Sequence, residues 1–228
     1  MKRLVFFLLI LAMVLPAGAE SLRYSINWQS GLSLGEATLR SDRIRDQNAE
    51  KGRELWDFDL NIDASVPGFA VRDHYRSTAS SDLCSAEMEK NYVHGKRKSE
   101  EKITFDQQKM TATRQTLNGG KSELSLSTCA RDPLAFLQFA RRELAQGRMT
   151  PQQAVVFGAV YQIRMEYTGT QVVRVGEERV SADRIVATLK GPSTDITFEV
   201  FFARDSARTP VLAKIPLALG TFSVELMK

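Results

Sequence analysis

Through most of this chain after residue 20, apolar and polar residues alternate with a period of two. Trp56, Phe58, Leu60 and Ile62 fall on one side of an extended segment, with Asp57, Asp59 and Asn61 on the other. Successive side chains of a strand point to opposite faces, so this spacing predicts a half-buried strand. The pattern returns at Tyr161, Ile163, Met165 and Tyr167, at Ile196, Phe198, Val200 and Phe202, and at Phe222, Val224 and Leu226. Further strands are expected over 22–28, 35–44, 70–79, 86–94, 102–106, 110–117, 123–127, 171–175, 179–189 and 210–215.

Turn signals separate these segments. Asn118-Gly119-Gly120 predicts a hairpin with a two-residue type I′ turn, whose central residues both need positive φ. Gly169, Gly176 and Gly191 mark further tight connections. Connections this short leave little room for crossover helices, so the sheet is expected to be an antiparallel meander. The predicted fold class is mainly β: a curved antiparallel sheet forming an open or closed barrel, with one amphipathic helix.

That helix is expected over about 132–146. Asp132 suits the N-cap, Pro133 the first helical position, and Gly147 the C-terminal stop. Leu134, Leu137, Ala140 and Leu144 fall near one face, while Arg141, Arg142 and Glu143 are expected to face water at least in part. Such a helix can plug a barrel mouth or cover one face of a sheet.

The amino terminus changes the picture of where the domain works. Lys2 and Arg3 precede the apolar run 4–15, followed by Pro16, Ala17, Gly18 and Ala19, the three zones of an export signal. The run is short for a bilayer span, which needs roughly 20 residues, so cleavage after Ala19 is expected rather than a retained anchor. Glu20 stands where a lipoprotein would carry cysteine. The expected product is one β-rich domain over 20–228 in a bacterial periplasm, with no integral membrane segment left after cleavage.

Without Lys2 and Arg3, the 31 basic residues become 29 against 27 acidic, a net charge of +2, and no nucleic-acid partner is expected. The densest basic cluster, Lys96-Arg97-Lys98, is followed by Glu100 and Glu101 and reads as a solvated turn and strand edge. A patch for anionic lipid is the lesser alternative.

Cys84 and Cys129 are the two cysteines, and in an oxidising compartment an even count favours a disulfide. In the chain-entropy model the loop it closes is worth about 4 kcal/mol. The bond would pin the start of the helix to the strand region near Cys84. There is no C-x-x-C, and neither His74 nor His94 has ligand spacing with a cysteine, so no metal site or cofactor is expected.

Catalytic motifs are also missing: no G-x-S-x-G, H-E-x-x-H or phosphate-cradling Gly loop occurs. His74 and His94 read as strand and turn polarity, and no catalytic residues are expected. Arg204, Asp205 and Arg208 read as a local salt-bridged turn between two strands. The aromatic residues Phe136, Phe139, Phe157, Tyr161, Phe198 and Phe202 either fill a core or line a cavity. Of these, Phe136, Tyr161, Phe198 and Phe202 are the candidate ligand-binding residues.

Several segments together resemble the bacterial domain-of-unknown-function family 3108, a group of exported proteins. They are the 22–26 strand Leu-Arg-Tyr-Ser-Ile, Val71 to Tyr75 with Gly95-Lys96-Arg97 downstream, Asp132-Pro133-Leu134, and Arg204-Asp205 with Pro210-Val211. The resemblance spans nearly the whole mature chain and implies a curved antiparallel β architecture with no established enzymatic activity, so no catalytic residues carry over. Such proteins look similar to periplasmic carriers of lipids or lipoproteins, an analogy of fold that does not fix function.

Three functions are weighed. The first is a non-enzymatic envelope protein holding a lipid, a lipoprotein acyl chain or another apolar ligand in the concavity of the sheet. The second is an interaction scaffold that binds an envelope protein through a strand edge or the helix, with a filled interior. The third is an enzyme acting through dispersed carboxylates such as Asp73 or Asp205.

Overall fold

The computed structural model describes residues 19–45, 54–66, 68–150, 152–192, 194–217 and 220–228; the export-signal reading falls on residues largely outside these. In chain order the strands are β1 (Glu20–Trp28), β2 (Ser33–Arg45), β3 (Glu54–Val66), β4 (Phe69–Ser80), β5 (Ser85–His94), β6 (Arg97–Asp106), β7 (Thr111–Thr116) and β8 (Lys121–Ser125). The helix α1 (Pro133–Ala145) follows, then β9 (Gln152–Val156), β10 (Val160–Val175), β11 (Glu178–Gly191), β12 (Thr194–Ala203), β13 (Pro210–Leu217) and β14 (Gly220–Leu226).

All of these strands belong to one curved antiparallel sheet, in the order β8-β7-β6-β5-β4-β3-β2-β1-β14-β13-β12-β11-β10-β9. Two meanders, β1–β8 and β9–β14, are joined where the ends of the chain meet: Tyr24 lies opposite Leu226 and Trp28 opposite Phe222. Among the described residues β8 and β9 do not pair, so the sheet is not closed by a ladder.

The segment leading into the helix bridges the gap instead. Ser85 N–H donates to Ala130 O at 3.0 Å, and Val156 N–H donates to Arg131 O at 2.8 Å. The Gln107 amide donates to Ser85 O and Ala130 O, and its oxygen accepts from Ala130 N–H. A connector thus satisfies backbone groups of β5 and β9 that a neighbouring strand would otherwise pair. The expected disulfide is present, joining Cys84 to Cys129 with 4.7 Å between Cα atoms, and it ties this connector to the β4–β5 turn.

The helix starts at the expected cap. Asp132 Oδ1 accepts from Leu134 N–H at 2.8 Å and Ala135 N–H at 3.2 Å, while Oδ2 accepts from the Ser77 and Ser85 hydroxyls. At the other end Gly147, at φ +68°, donates to Leu144 O, and Arg148 N–H donates to Glu143 O, the hydrogen-bond pattern of a left-handed stop.

Inside the curve the helix serves both meanders. Leu134 and Ala135 pack with Tyr24, Phe58, Ala79 and Leu83. Phe136 and Ala140 pack with Ile163, Met165, Ile185 and Phe202. A helix touched from two sides cannot keep a wide solvated face, which corrects the expectation for Arg141. That residue is buried, with its guanidinium on both carboxylate oxygens of Glu20 at 2.6 and 2.7 Å.

Two further expectations are corrected, and one strand went unforeseen. The segments 161–167 and 171–175 form one strand, β10; Gly169, at φ +116°, sits where the register shifts between Tyr167 and Thr170, a bulge rather than a turn. The Asn118 hairpin uses a four-residue loop, 117–120, with positive φ at Gly119 and not at Asn118, closed by Thr116 N–H on Gly120 O. The strand β9 has no alternation to reveal it, because Gln152-Gln153-Ala154-Val155-Val156 carries its apolar residues in a run.

Beyond the bulge, the β10–β11 hairpin makes a second core. Val173, Val175 and Ala182 pack with Phe201, Ala203 and Val211. Phe201 and Phe202 are adjacent yet belong to different cores, so this hairpin covers the outer face of β12. At the bend, Asp183 is held by the Thr170 hydroxyl at 2.9 Å and by Arg208 at 2.6 Å, with Arg204 at 3.7 Å. The two arginines expected to pair locally with Asp205 thus turn to Asp183, and Asp205 accepts from Thr209 N–H.

Candidate functional site

A cavity of about 570 Å³ lies between the helix and the second meander. Period-two alternation brings Tyr161, Ile163 and Met165 of β10 to its wall, with Ile185, Ala187 and Leu189 of β11 and Phe198, Val200 and Phe202 of β12. Helical spacing adds Leu134, Leu137 and Ala140, with Phe136, and the far side is closed by Leu60, Tyr75 and Met88 of the first meander. Among the described residues no charged side chain lines it, and its polar side chains are Tyr75, Tyr161 and Thr194.

All four candidate ligand-binding residues, Phe136, Tyr161, Phe198 and Phe202, reach this one wall, as does Phe157. Phe139 does not: its ring lies beside that of Phe136, 6.4 Å between centroids, and carries the Arg131 guanidinium at 3.9 Å. Leu189, Thr194 and Tyr161 place one end of the cavity close to the β9–β10 and β11–β12 connections, and the helix closes the opposite end. Tyr161 lies flat on Gly191, where a Cβ would stand 2.2 Å from its ring. Only glycine permits that approach.

Two polar groups flank the cavity. Tyr75 donates its hydroxyl to Asp73 Oδ2 at 2.8 Å, and Asp73 Oδ1 meets His94 Nε2 at 2.8 Å. Burial and the hydrogen bond to Asp73 push the Tyr75 phenol well above its ordinary range, so it stays a neutral donor. Beside it, Phe157 packs against Tyr75 with 5.7 Å between ring centroids, and Lys90 Nζ sits 3.9 Å over the same ring.

Lys90 donates to Glu101 Oε1 at 2.8 Å, and Arg114 donates through Nε to Glu101 Oε2 at 2.6 Å. Burial disfavours the Glu101 carboxylate, but the hydrogen bonds from Arg114 and Lys90 outweigh it and hold its pKa below the usual range. The tip of the β9–β10 hairpin rests on this group: a Cβ on Gly158 would come within 2.9 Å of Glu101 Oε1. The triad therefore clamps one meander against the other where no ladder joins them.

His74 lies apart, on the outer face, with Nε2 2.7 Å from Asp59 Oδ2. Among the described residues no three His, Cys, Asp or Glu side chains are grouped to hold a metal ion. No described helix is long and apolar enough to cross a membrane.

The missed features have no local signal. Lys90, Glu101 and Arg114 come from three strands, and Glu20 meets Arg141 across 121 residues. Alternation did place Lys90 in phase with Met88 and Glu101 in phase with Ile103, which marks both charges as inward-facing.

Fold and cavity together define a barrel-like antiparallel β protein with a helix in its concavity and an apolar chamber beneath it. Among solved structures, a beta-barrel-like protein of domain of unknown function DUF1849 from Brucella abortus is similar in fold. It aligns with a TM-score of 0.59 and 8% sequence identity over 91% of this chain and 95% of that one. The chain belongs to the DUF3108 family of proteins of unknown function, whose model matches residues 23–227. Among curated proteins none matches the sequence.

Proposed function

We propose that this protein is a non-enzymatic protein of the bacterial periplasm that holds one acyl chain, or an apolar ligand of similar size, in the cavity under its helix. The observation that carries this reading is the cavity itself: about 570 Å³ of space with no charged side chain at its wall among the described residues. A well-packed interior leaves few voids larger than a water molecule, and a scaffold that binds through its surface has no need of one this large. At about 30 Å³ per water-sized group, the space takes on the order of nineteen such groups, the scale of one long hydrocarbon chain.

The neutral Tyr75 hydroxyl, together with Tyr161 and Thr194, supplies the few polar atoms that orient an amphipathic ligand. The reading assigns no catalytic step and no cofactor.

Native mass spectrometry of protein purified without detergent from its own bacterial envelope, followed by organic extraction, tests it. A reproducible bound lipid, lost in Phe198→Asp or Tyr161→Asp with near-ultraviolet circular dichroism unchanged, is the expected result. A clean apo mass with no uptake of added fatty acid overturns the reading.

A further inference from the structure

We propose that the hairpin ends on one side of the sheet form a docking face for an anionic lipid bilayer. The antiparallel order puts β1–β2, β3–β4, β5–β6, β7–β8, β9–β10, β11–β12 and β13–β14 on the same side of the sheet. The cavity reaches this side at Tyr161, Leu189 and Thr194, while the helix closes the other. The docking face goes beyond the acyl-chain reading and does not depend on it.

Composition divides the two sides. None of the connections on the docking side contains Asp or Glu, from Gln29-Ser30-Gly31-Leu32 through Leu117-Asn118-Gly119-Gly120. The opposite connections carry Asp82, Glu177 and Asp205. On the docking side apolar side chains stand at the tips: Leu32, Phe69, Leu117 and Leu217 are between 44 and 64% exposed. Leu32 and Leu217 flank the stacked rings of Trp28 and Phe222, and Gln29 N–H donates to Thr221 O, so these two tips form one apolar ridge. Grouped large apolar side chains, as in the Leu32–Leu217 ridge, mark a surface that another phase covers.

Charge says which phase. Lys96, Arg97 and Lys98 are exposed at the β5–β6 tip, next to Phe69, whose ring lies 3.2 Å from the position of a Cβ on Gly95. In the sequence Glu100 and Glu101 follow this cluster closely, but Glu101 turns inward and is neutralised by Lys90 and Arg114, so only the exposed Glu100 stands against the three cations. Basic side chains beside apolar tips whose connections carry no carboxylate match an anionic headgroup layer over hydrocarbon.

Co-sedimentation with vesicles of phosphatidylcholine, with and without phosphatidylglycerol, provides the test, using exported protein whose mass shows that it begins at Glu20. Binding is expected to phosphatidylglycerol vesicles and to weaken with salt. Lys96→Gln with Arg97→Gln should weaken it about thirtyfold. Leu32→Glu with Leu217→Glu should abolish it, and Ile44→Glu with Met110→Glu, on the opposite side, should leave it unchanged.

Equal loss in the opposite-side variant, or no binding by the unaltered protein, overturns the proposal. So does a dimer in vesicle-free solution that the Leu32 and Leu217 variant dissolves, since the face would then join two copies. Fatty-acid uptake measured in solution on the same variants separates the two readings: it is kept when only docking fails, and absent throughout when only the cavity reading fails.

Discussion

Arg141, in the middle of the helix, grips Glu20, the first residue of β1, through two hydrogen bonds of 2.6 and 2.7 Å. The arginine is 4% exposed and also donates to Ala207 O, while the Glu20 side chain keeps some contact with water. Loss of the two partners is therefore unequal. Glu20→Ala strands a buried guanidinium and is expected to destabilise the fold by about 3 kcal/mol, whereas Arg141→Met keeps the packing and costs about 1 kcal/mol. Urea unfolding of both variants and the double variant checks this; equal losses would contradict it.

The disulfide holds the connector that spans the unpaired gap. Cys84→Ser with Cys129→Ser should lower stability by about 4 kcal/mol in the chain-entropy model. Hydrogen exchange should rise first at Ser85 and Val156, whose N–H groups bond to Ala130 O and Arg131 O across the gap, and at Ala130, whose N–H is held by Gln107 Oε1. Alkylation of the exported protein without reduction should find no free thiol.

Gly191 and Tyr161 share one space. Gly191→Ala places a methyl group 2.2 Å from the ring, so the ring must move. The variant should lose about 1 to 3 kcal/mol of stability. Tyr161→Ala in the same chain should restore part of that loss, and a double-mutant cycle read by thermal unfolding measures the coupling.

Glu101 makes stability depend on acid. Its folded pKa lies below the ordinary value, so its contribution is fully present above about pH 4.3 and is lost as pH falls through the folded value. Glu101→Gln leaves Lys90 buried without its anion and should cost about 3 kcal/mol at neutral pH. The gap between variant and unaltered protein should narrow as pH falls below the ordinary carboxylate range in urea titrations. A constant gap would mean that Glu101 acts by packing alone.

All strands but β9, the helix with its Asp132 cap and Gly147 stop, and the disulfide were legible in the sequence because each leaves a short-range signature. Period-two alternation, capping chemistry and an even cysteine count act within a strand, a turn or a compartment. Even Phe136, Tyr161, Phe198 and Phe202 of the cavity wall could be picked out by type and phase, since alternation fixes the face of the three in strands and helical spacing that of Phe136.

What alternation cannot fix is how far a sheet curves, and curvature decides what the inner face meets. Because the sheet curves around the helix without closing, Arg141 is buried instead of solvated, and the hairpin beyond Gly169 doubles over the outer face of β12. Likewise, Asp183 rather than Asp205 holds Arg204 and Arg208. The same curvature leaves an empty chamber where the inward residues of β10, β11 and β12 stand back from the helix. Sequence set the polarity of every face; only the tertiary structure set the distances between faces, because those depend on summed twist and bulges rather than on any single residue.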